Sequence, residues 1–333
     1  MSLRRSILEH PERRYLMFGG KGGLGKTTFS AATAYWLASR GHRVLVFSVD
    51  PQASLSDIFE RDIFGKGPVK IKENLWAQEV DADRHIRVYQ DEIRHKILDM
   101  YGFDKIPDEI EQYIQAASAE PAMEESAIFD AVVDIVVAGD YDYYIYDLVP
   151  LGHALYYLSM AKVYDEWINK ITKLREEMRE YQEMVSRLKR EKDTEEDQIL
   201  SELQYIRGRI NASSRILTDK EKTAFYFVVV PEKMIILDTQ KAAVLFSQFD
   251  VPIAGYVVNR VVPEELLGQN IPAYLKHRIE MQKAYMGEIR QVFGDQVSAY
   301  VPELERDVTG LPMIERLAEI MYGDGNNQAG RLP

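Results

Sequence analysis

Hydrophobic and polar positions fall into two regimes along this chain. Apolar runs bounded by charged residues or turn formers recur at Tyr15–Phe18, His42–Asp50, Tyr141–Asp147, Thr218–Pro231 and Ile253–Arg260. Runs this short and this continuous predict strands buried on both faces, as in a parallel sheet. Leu75–Asp81 alternates and predicts a further strand. Helices are predicted over Phe29–Ser39, where Gly41 supplies the stop, over Ile235–Phe249, and over a last stretch ending at Met321. Pro272–Phe293 is rich in Lys, Arg and Glu and is expected to be a solvent-facing helix. The first thirteen residues are charged and are expected to form a short helix or arm ended by Pro11. Strands alternating with helices predict an α/β fold with a mostly parallel sheet flanked by helices.

Two stretches interrupt that alternation. From Ala82 to Ala119 apolar residues fall at Ile86, Tyr89, Ile93, Ile97 and Met100, and Pro121 then opens another helix with acids in its first turn. From Ile168 to Leu217 they fall at Ile171, Leu174, Met178, Tyr181, Val185 and Leu188, and again at Ile199, Leu203, Ile206 and Ile210. The second pattern predicts a helical hairpin turning near Lys192–Glu196. We therefore expect one domain over 1–325, with an inserted helical subdomain from insertions at about 82–135 and 160–217. The stripes pack within the domain or form a face for a client, and spacing alone leaves both open. Residues 323–333 are polar and glycine-rich and are expected to be a disordered tail.

Chemistry concentrates in Gly19-Gly20-Lys21-Gly22-Gly23-Leu24-Gly25-Lys26-Thr27-Thr28, between a predicted strand and a predicted helix. Gly20 to Thr27 fits the phosphate-loop pattern G-x-x-x-x-G-K-[ST]. Glycines let backbone N–H groups approach an anion closely, and the helix that follows directs its positive end at the same point. Lys26 is placed to reach the β- and γ-phosphates of a nucleotide, and the Thr27 hydroxyl to ligate a bridging Mg²⁺.

The form G-K-G-G-x-G-K-T-T, with the extra Lys21, resembles the deviant phosphate loop of the family that includes nitrogenase iron protein, MinD, ParA and the ArsA-type ATPases. The resemblance implies that Lys21 crosses a dimer interface to the partner's nucleotide. Asp50-Pro-Gln-Ala-Ser-Leu-Ser-Asp-Ile-Phe59 resembles the first switch segment of ArsA-type ATPases, which implies that Asp50 orients the attacking water. The plainer reading of Asp50 is a cap for the turn before Leu55. Asp147-Leu-Val-Pro-Leu-Gly-His-Ala-Leu155 resembles the second switch. It implies that Asp147 holds the Mg²⁺ or its water ligand and that the Gly152 N–H meets the γ-phosphate. Leu148, Leu151 and Ala154 replace three threonines of that switch, which puts its coupling to hydrolysis in doubt. His153 suits a packing role as well as a switch role. Asn259, in V-V-N-R, is implied on the adenine edge, with a strand-end turn as the plainer reading. Pro302 belongs to a stretch resembling the adenine-side loop.

Composition narrows the expectation. The chain has 333 residues, 46% of them hydrophobic, and a formal net charge of −12, so nucleic acid is not an expected partner. It has no cysteine, which excludes a disulfide, a thiolate zinc clasp and arsenite pumping through thiols. No apolar run approaches a membrane span, so a cytoplasmic chain is expected. The resemblance thus implies a P-loop NTPase fold and Mg-dependent ATP hydrolysis in a nucleotide-switched homodimer. That ATPase would handle or target a hydrophobic or membrane-protein client. The alternative is a MinD- or ParA-like switched module that docks a protein or membrane partner.

Overall fold

The computed structural model describes residues 2–50, 52–101, 121–148 and 198–323, together with the isolated positions 105, 106, 111, 166, 169, 170, 172 and 173. Its strands are β1 (Tyr15–Gly19), β2 (Val44–Ser48), β3 (Val69–Lys72), β4 (Leu75–Glu79), β5 (Tyr143–Asp147), β6 (Thr223–Val229), β7 (Ile253–Val261) and β8 (Val297–Pro302). They form a single sheet in the order β3-β4-β2-β5-β1-β6-β7-β8. Every pairing is parallel except that between β3 and β4. β2, β5 and β6 are buried at every position, which is why their sequences show no polar alternation.

Around the sheet lie α1 (Leu3–Leu8), α2 (Lys26–Ala38), α3 (Ser54–Phe59), α4 (Ala82–Tyr101), α5 (Pro121–Ala138), α6 (Gln198–Thr218), α7 (Lys233–Gln248), α8 (Ala273–Phe293) and α9 (Gly310–Tyr322). α9 packs along α2. There Tyr322 stacks on Trp36 at 4.1 Å between ring centroids, and its hydroxyl lies 2.6 Å from Thr33 Oγ1. These contacts fix the helix that begins at Lys26. α1 buries Leu3, Ser6 and Ile7 and is tied to the sheet by a hydrogen bond between the Ser6 and Tyr226 hydroxyls. α5 packs against both α4 and α6. Among the described residues no helix is long and apolar enough to cross a membrane.

The α/β arrangement expected from the sequence is the one observed, with differences of detail. β3 and α3 were not anticipated, and Val297–Pro302 forms an edge strand where only a loop was expected. The predicted solvent-facing helix is α8, and it is half core. Ile279, Gln282, Met286, Ile289 and Phe293 form a buried stripe at spacings of three and four. Gln282 belongs in that stripe because its side-chain amide makes two hydrogen bonds to the Val262 backbone. α6 covers the stretch read from the sequence as the second arm of a hairpin; most of the first arm, the turn and the tail beyond 323 lie outside the described residues. In α4 Ile86 is buried, and the side chains of Tyr89, Ile93, Ile97 and Met100 lie outside the description.

Candidate functional site

In an open parallel sheet, ligands collect at the carboxyl ends of the strands, beside the point where the strand order reverses. Here that point is β1, which lies between β5 and β6. The glycine loop leaves β1, Asp50 follows β2, Asp147 ends β5, Asn259 lies near the end of β7 and Pro302 ends β8. The register sets Asp147 directly beside Phe18 of β1 and Ser48 of β2. Residues far apart in sequence thus meet at one rim.

The loop is shaped by residues around it. Gly20 runs so close to β6 that a Cβ there would lie 2.7 Å from the Val228 carbonyl oxygen. Gly25 has φ +99°, and a Cβ on it would lie 2.7 Å from Asn259 Nδ2. At Gly22 and Gly23 a Cβ would meet nothing within 4 Å, so the loop tip faces open space. Gly25 gives α2 no side-chain cap, so the first-turn N–H groups around Lys26, Thr27 and Thr28 keep their positive end for an anion. Leu24 is buried and anchors the loop from below.

Lys26 is only 8% exposed, and its Nζ lies 3.3 Å from the Lys21 carbonyl oxygen. Burial lowers its pKa, against the opposing pull of the Asp147 and Asp50 carboxylates. Asp147 is fully buried, and that desolvation raises its pKa from 3.8 to about 7. Hydrogen bonds from the Thr27 and Ser30 hydroxyls and the charge of Lys26 oppose the rise, and Asp50 adds to it. The Ser48 hydroxyl bridges the two acids, donating to the Asp147 carbonyl and accepting from the Asp50 N–H. Asp50 Oδ1 in turn accepts from the Gln52 N–H at 3.0 Å, so the capping contact expected as its plainer role is present.

Two further expected residues have partners of their own. Lys21 Nζ lies 3.1 Å from Asp238 Oδ2 on α7, within the same chain. Asn259 Nδ2 donates to the Leu24 carbonyl at 2.8 Å, so this residue touches the loop itself. Pro302 is half-buried and pairs with Val261 at the end of β7. Gly152 and His153, with the rest of the second switch beyond Leu148, lie outside the described residues, as does Pro51.

Sequence reasoning missed several participants. Glu79, 1% exposed at the end of β4, accepts from the Leu55 and Ser56 N–H groups at 2.6 and 3.2 Å and from the Ser56 hydroxyl. It thereby caps α3, the helix that follows Asp50. Arg260 donates to the Gly23 carbonyl at 2.9 Å. Asp238, Ser30 and Ser48 were also unforeseen. None carries a local signal; each matters through a neighbour distant in sequence.

The donor set suits a magnesium nucleotide. A buried lysine beside an uncapped helix start wants an anion, and a buried carboxylate with two hydroxyls offers hard oxygen ligands. Among the described residues no group of three or more His, Cys, Asp or Glu forms a metal cage. Mg²⁺ binds through one or two protein oxygens and the phosphates themselves, so the Asp147 carboxylate and the Thr27 hydroxyl would suffice to hold it.

Comparison with known proteins points the same way. Residues 13–323 match the profile of the anion-transporting ATPase family, ArsA-type. A relative named putative arsenical pump-driving ATPase 1, of Aquifex aeolicus, is 33% identical over 317 residues, covering 93% of this chain and 79% of its own. The protein named ATPase ASNA1 homolog 2, of Paramecium tetraurelia, is 27% identical over 325 residues, covering 95% and 96%. The protein named ATPase GET3C, of Arabidopsis thaliana, is 26% identical over 330 residues, covering 93% and 83%.

Proposed function

The chain belongs to the anion-transporting ATPase family and is an ATPase with the α/β P-loop NTPase fold, and from that premise we propose how its residues bind and hydrolyse Mg-ATP. The observation that carries the reading is Lys26, a nearly buried cation between the glycine loop and the Asp147 carboxylate. N–H groups from Gly20 to Thr28 cradle the phosphates, and Lys26 binds the β- and γ-phosphate oxygens. The Thr27 hydroxyl and Asp147, directly or through water, hold the metal. Mg²⁺, when bound, neutralises charge developing on the phosphate oxygens. Asp50 orients the attacking water, and Gly152 meets the γ-phosphate. Asn259 and Pro302 line the adenine side, where an amide offers both a donor and an acceptor.

Lys21 completes the site of a second copy, so the working form is a homodimer and hydrolysis needs two chains. The name of the Aquifex relative speaks of driving an arsenical pump. Arsenite is a thiophile, and this chain has no cysteine to hold it. The proposed cargo is a hydrophobic or membrane-protein client, handled in the cytoplasm. Equilibrium binding of ATP with Mg²⁺ tests the core of this reading. Saturable affinity in the wild-type chain, lost in Lys26→Ala, is expected; no affinity at any protein concentration overturns it. A transmembrane peptide retained with ATP and released with ADP supports the client. ATP-dependent co-sedimentation with lipid or filaments supports the switched binding module instead.

A further inference from the structure

We propose that Arg260, acting together with Asn259, is a positioning residue that sets the direction of the phosphate-binding N–H groups at the loop tip. This rests on the reading of residues 20–28 as the nucleotide's phosphate site. Two consecutive side chains at the end of β7 hold two consecutive carbonyls of the loop. Arg260 donates to Gly23 O at 2.9 Å, and Asn259 Nδ2 donates to Leu24 O at 2.8 Å.

In a trans peptide the C=O and the next N–H point in opposite directions. Holding Gly23 O toward β7 therefore turns the Leu24 N–H away from β7, and holding Leu24 O there does the same for the Gly25 N–H. Among the described residues neither N–H has an acceptor. Two peptide dipoles are thus aligned before any ligand arrives, which is the preorganisation an anion site needs.

Neighbouring residues of a strand normally point to opposite faces, so Asn259 and Arg260 should not reach the same loop. Arg260 has φ +56°, the left-handed region that an arginine rarely adopts. That turn breaks the alternation and lets both side chains arrive together. Gly25 is the complementary concession, since any Cβ there would strike Asn259 Nδ2. The backbone strain at Arg260 thus has a use, which is to bring a second donor to the loop.

The test compares wild type with Arg260→Gly, Arg260→Ala and Arg260→Lys, reading affinity for ATP, ADP and inorganic tripolyphosphate in Mg²⁺, with melting temperature alongside. Glycine accepts φ +56° without strain, so Arg260→Gly removes the guanidinium without a folding penalty from that angle. The expected result is a loss of about tenfold in affinity for all three probes, the scale of one polarised hydrogen bond. Arg260→Lys should recover part of the loss, and Arg260→Gly should melt no lower than wild type. In turnover the loss should appear in KM more than in kcat. Unchanged tripolyphosphate affinity in Arg260→Gly overturns the proposal, and does so even if ATP affinity falls, because Arg260 would then serve the base. A wild-type chain that binds neither ATP nor tripolyphosphate overturns the phosphate-site reading, and the proposal with it.

Discussion

Lys21 and Asp238 form an ion pair across the rim of the site, Nζ to Oδ2 at 3.1 Å, joining the loop tip to α7. Both side chains are substantially exposed, at 55% and 36%, so solvent screens the attraction and such a pair contributes no more than about 1 kcal/mol. A contact this weak yields when a stronger anion is offered, and a second copy's triphosphate carries several negative charges. On the proposed shared-site reading, the pair is a resting place for a lysine whose working partner would lie in a second copy of the chain. Lys21→Ala is expected to lower turnover by about 100-fold or more while ATP affinity stays within about threefold, the pattern of a contact made only in the transition state. Asp238→Asn removes the competing carboxylate and should raise turnover a few-fold at low protein concentration. Full activity of Lys21→Ala, or of a strictly monomeric chain, contradicts the shared site.

Asp50 is held from two sides, its N–H by Ser48 Oγ and its Oδ1 by the Gln52 N–H. An asparagine keeps an oxygen for Gln52, so Asp50→Asn preserves the turn and removes the negative charge. ATP should still bind, and single-turnover hydrolysis should fall by about 100-fold, the range of a lost general base or water-orienting group. Hydrolysis at the wild-type rate would leave Asp50 as a cap only.

How much of this was legible in the chain depends on whether the signal is local. The central strands were, because residues buried on both faces cannot alternate with polar ones, and β5 and β6 are apolar or aromatic through most of their length. The loop was legible because seven of its ten residues, from Gly19 to Thr28, are glycine or lysine in one fixed order. β3 was not, because its lysines at 70 and 72 suit an edge and dilute the apolar pattern. The core face of α8 was hidden by Gln282, a polar residue whose burial is explained only by its bonds to Val262. Glu79, Asp238 and Arg260 were illegible for a deeper reason. Each acts on a segment between 23 and 237 positions away, and nothing nearby announces the partner.

Asp147 connects function to pH. Its pKa rises from 3.8 to about 7 on folding, with burial the largest cause. A raised carboxyl pKa means the folded chain holds a proton that the unfolded chain has released between about pH 4 and pH 7. The stabilisation is complete below that window and is lost as pH climbs through it, leaving an ionised buried carboxylate at pH 8. Asp147→Asn carries no charge at either pH. Without nucleotide or Mg²⁺, its melting temperature relative to wild type should therefore increase from pH 5 to pH 8, by about 2–5 °C. The same variant should lose Mg-dependent turnover. A melting difference that ignores pH would show that the buried carboxyl is not the group that titrates.

Glu79 ties the catalytic rim to the fold. Its carboxylate receives two N–H groups and a hydroxyl at the start of α3, and Ser56 Oγ also accepts from the Ile63 N–H at 3.2 Å. Ala53, just before that helix, sits at φ +51° and offers no cap of its own. Among the described residues, the N–H groups that open α3 are held by this side chain from β4, and removing it takes the acceptor from the Leu55 and Ser56 N–H groups and the Ser56 hydroxyl at once. Unmet buried hydrogen bonds cost about 1–3 kcal/mol each when water cannot replace the lost partner. Glu79→Ala is expected to lower the melting temperature by about 5 °C or more. Turnover should fall further than ATP affinity, because the phosphate loop keeps its own contacts while Asp50 loses the fixed helix beyond it. Glu79→Gln separates the two effects: it fills the same space, but its NH₂ faces donors where an acceptor is needed, so part of both defects should persist. A Glu79→Ala chain that melts and hydrolyses ATP as wild type does would mean that α3 holds its position without this carboxylate.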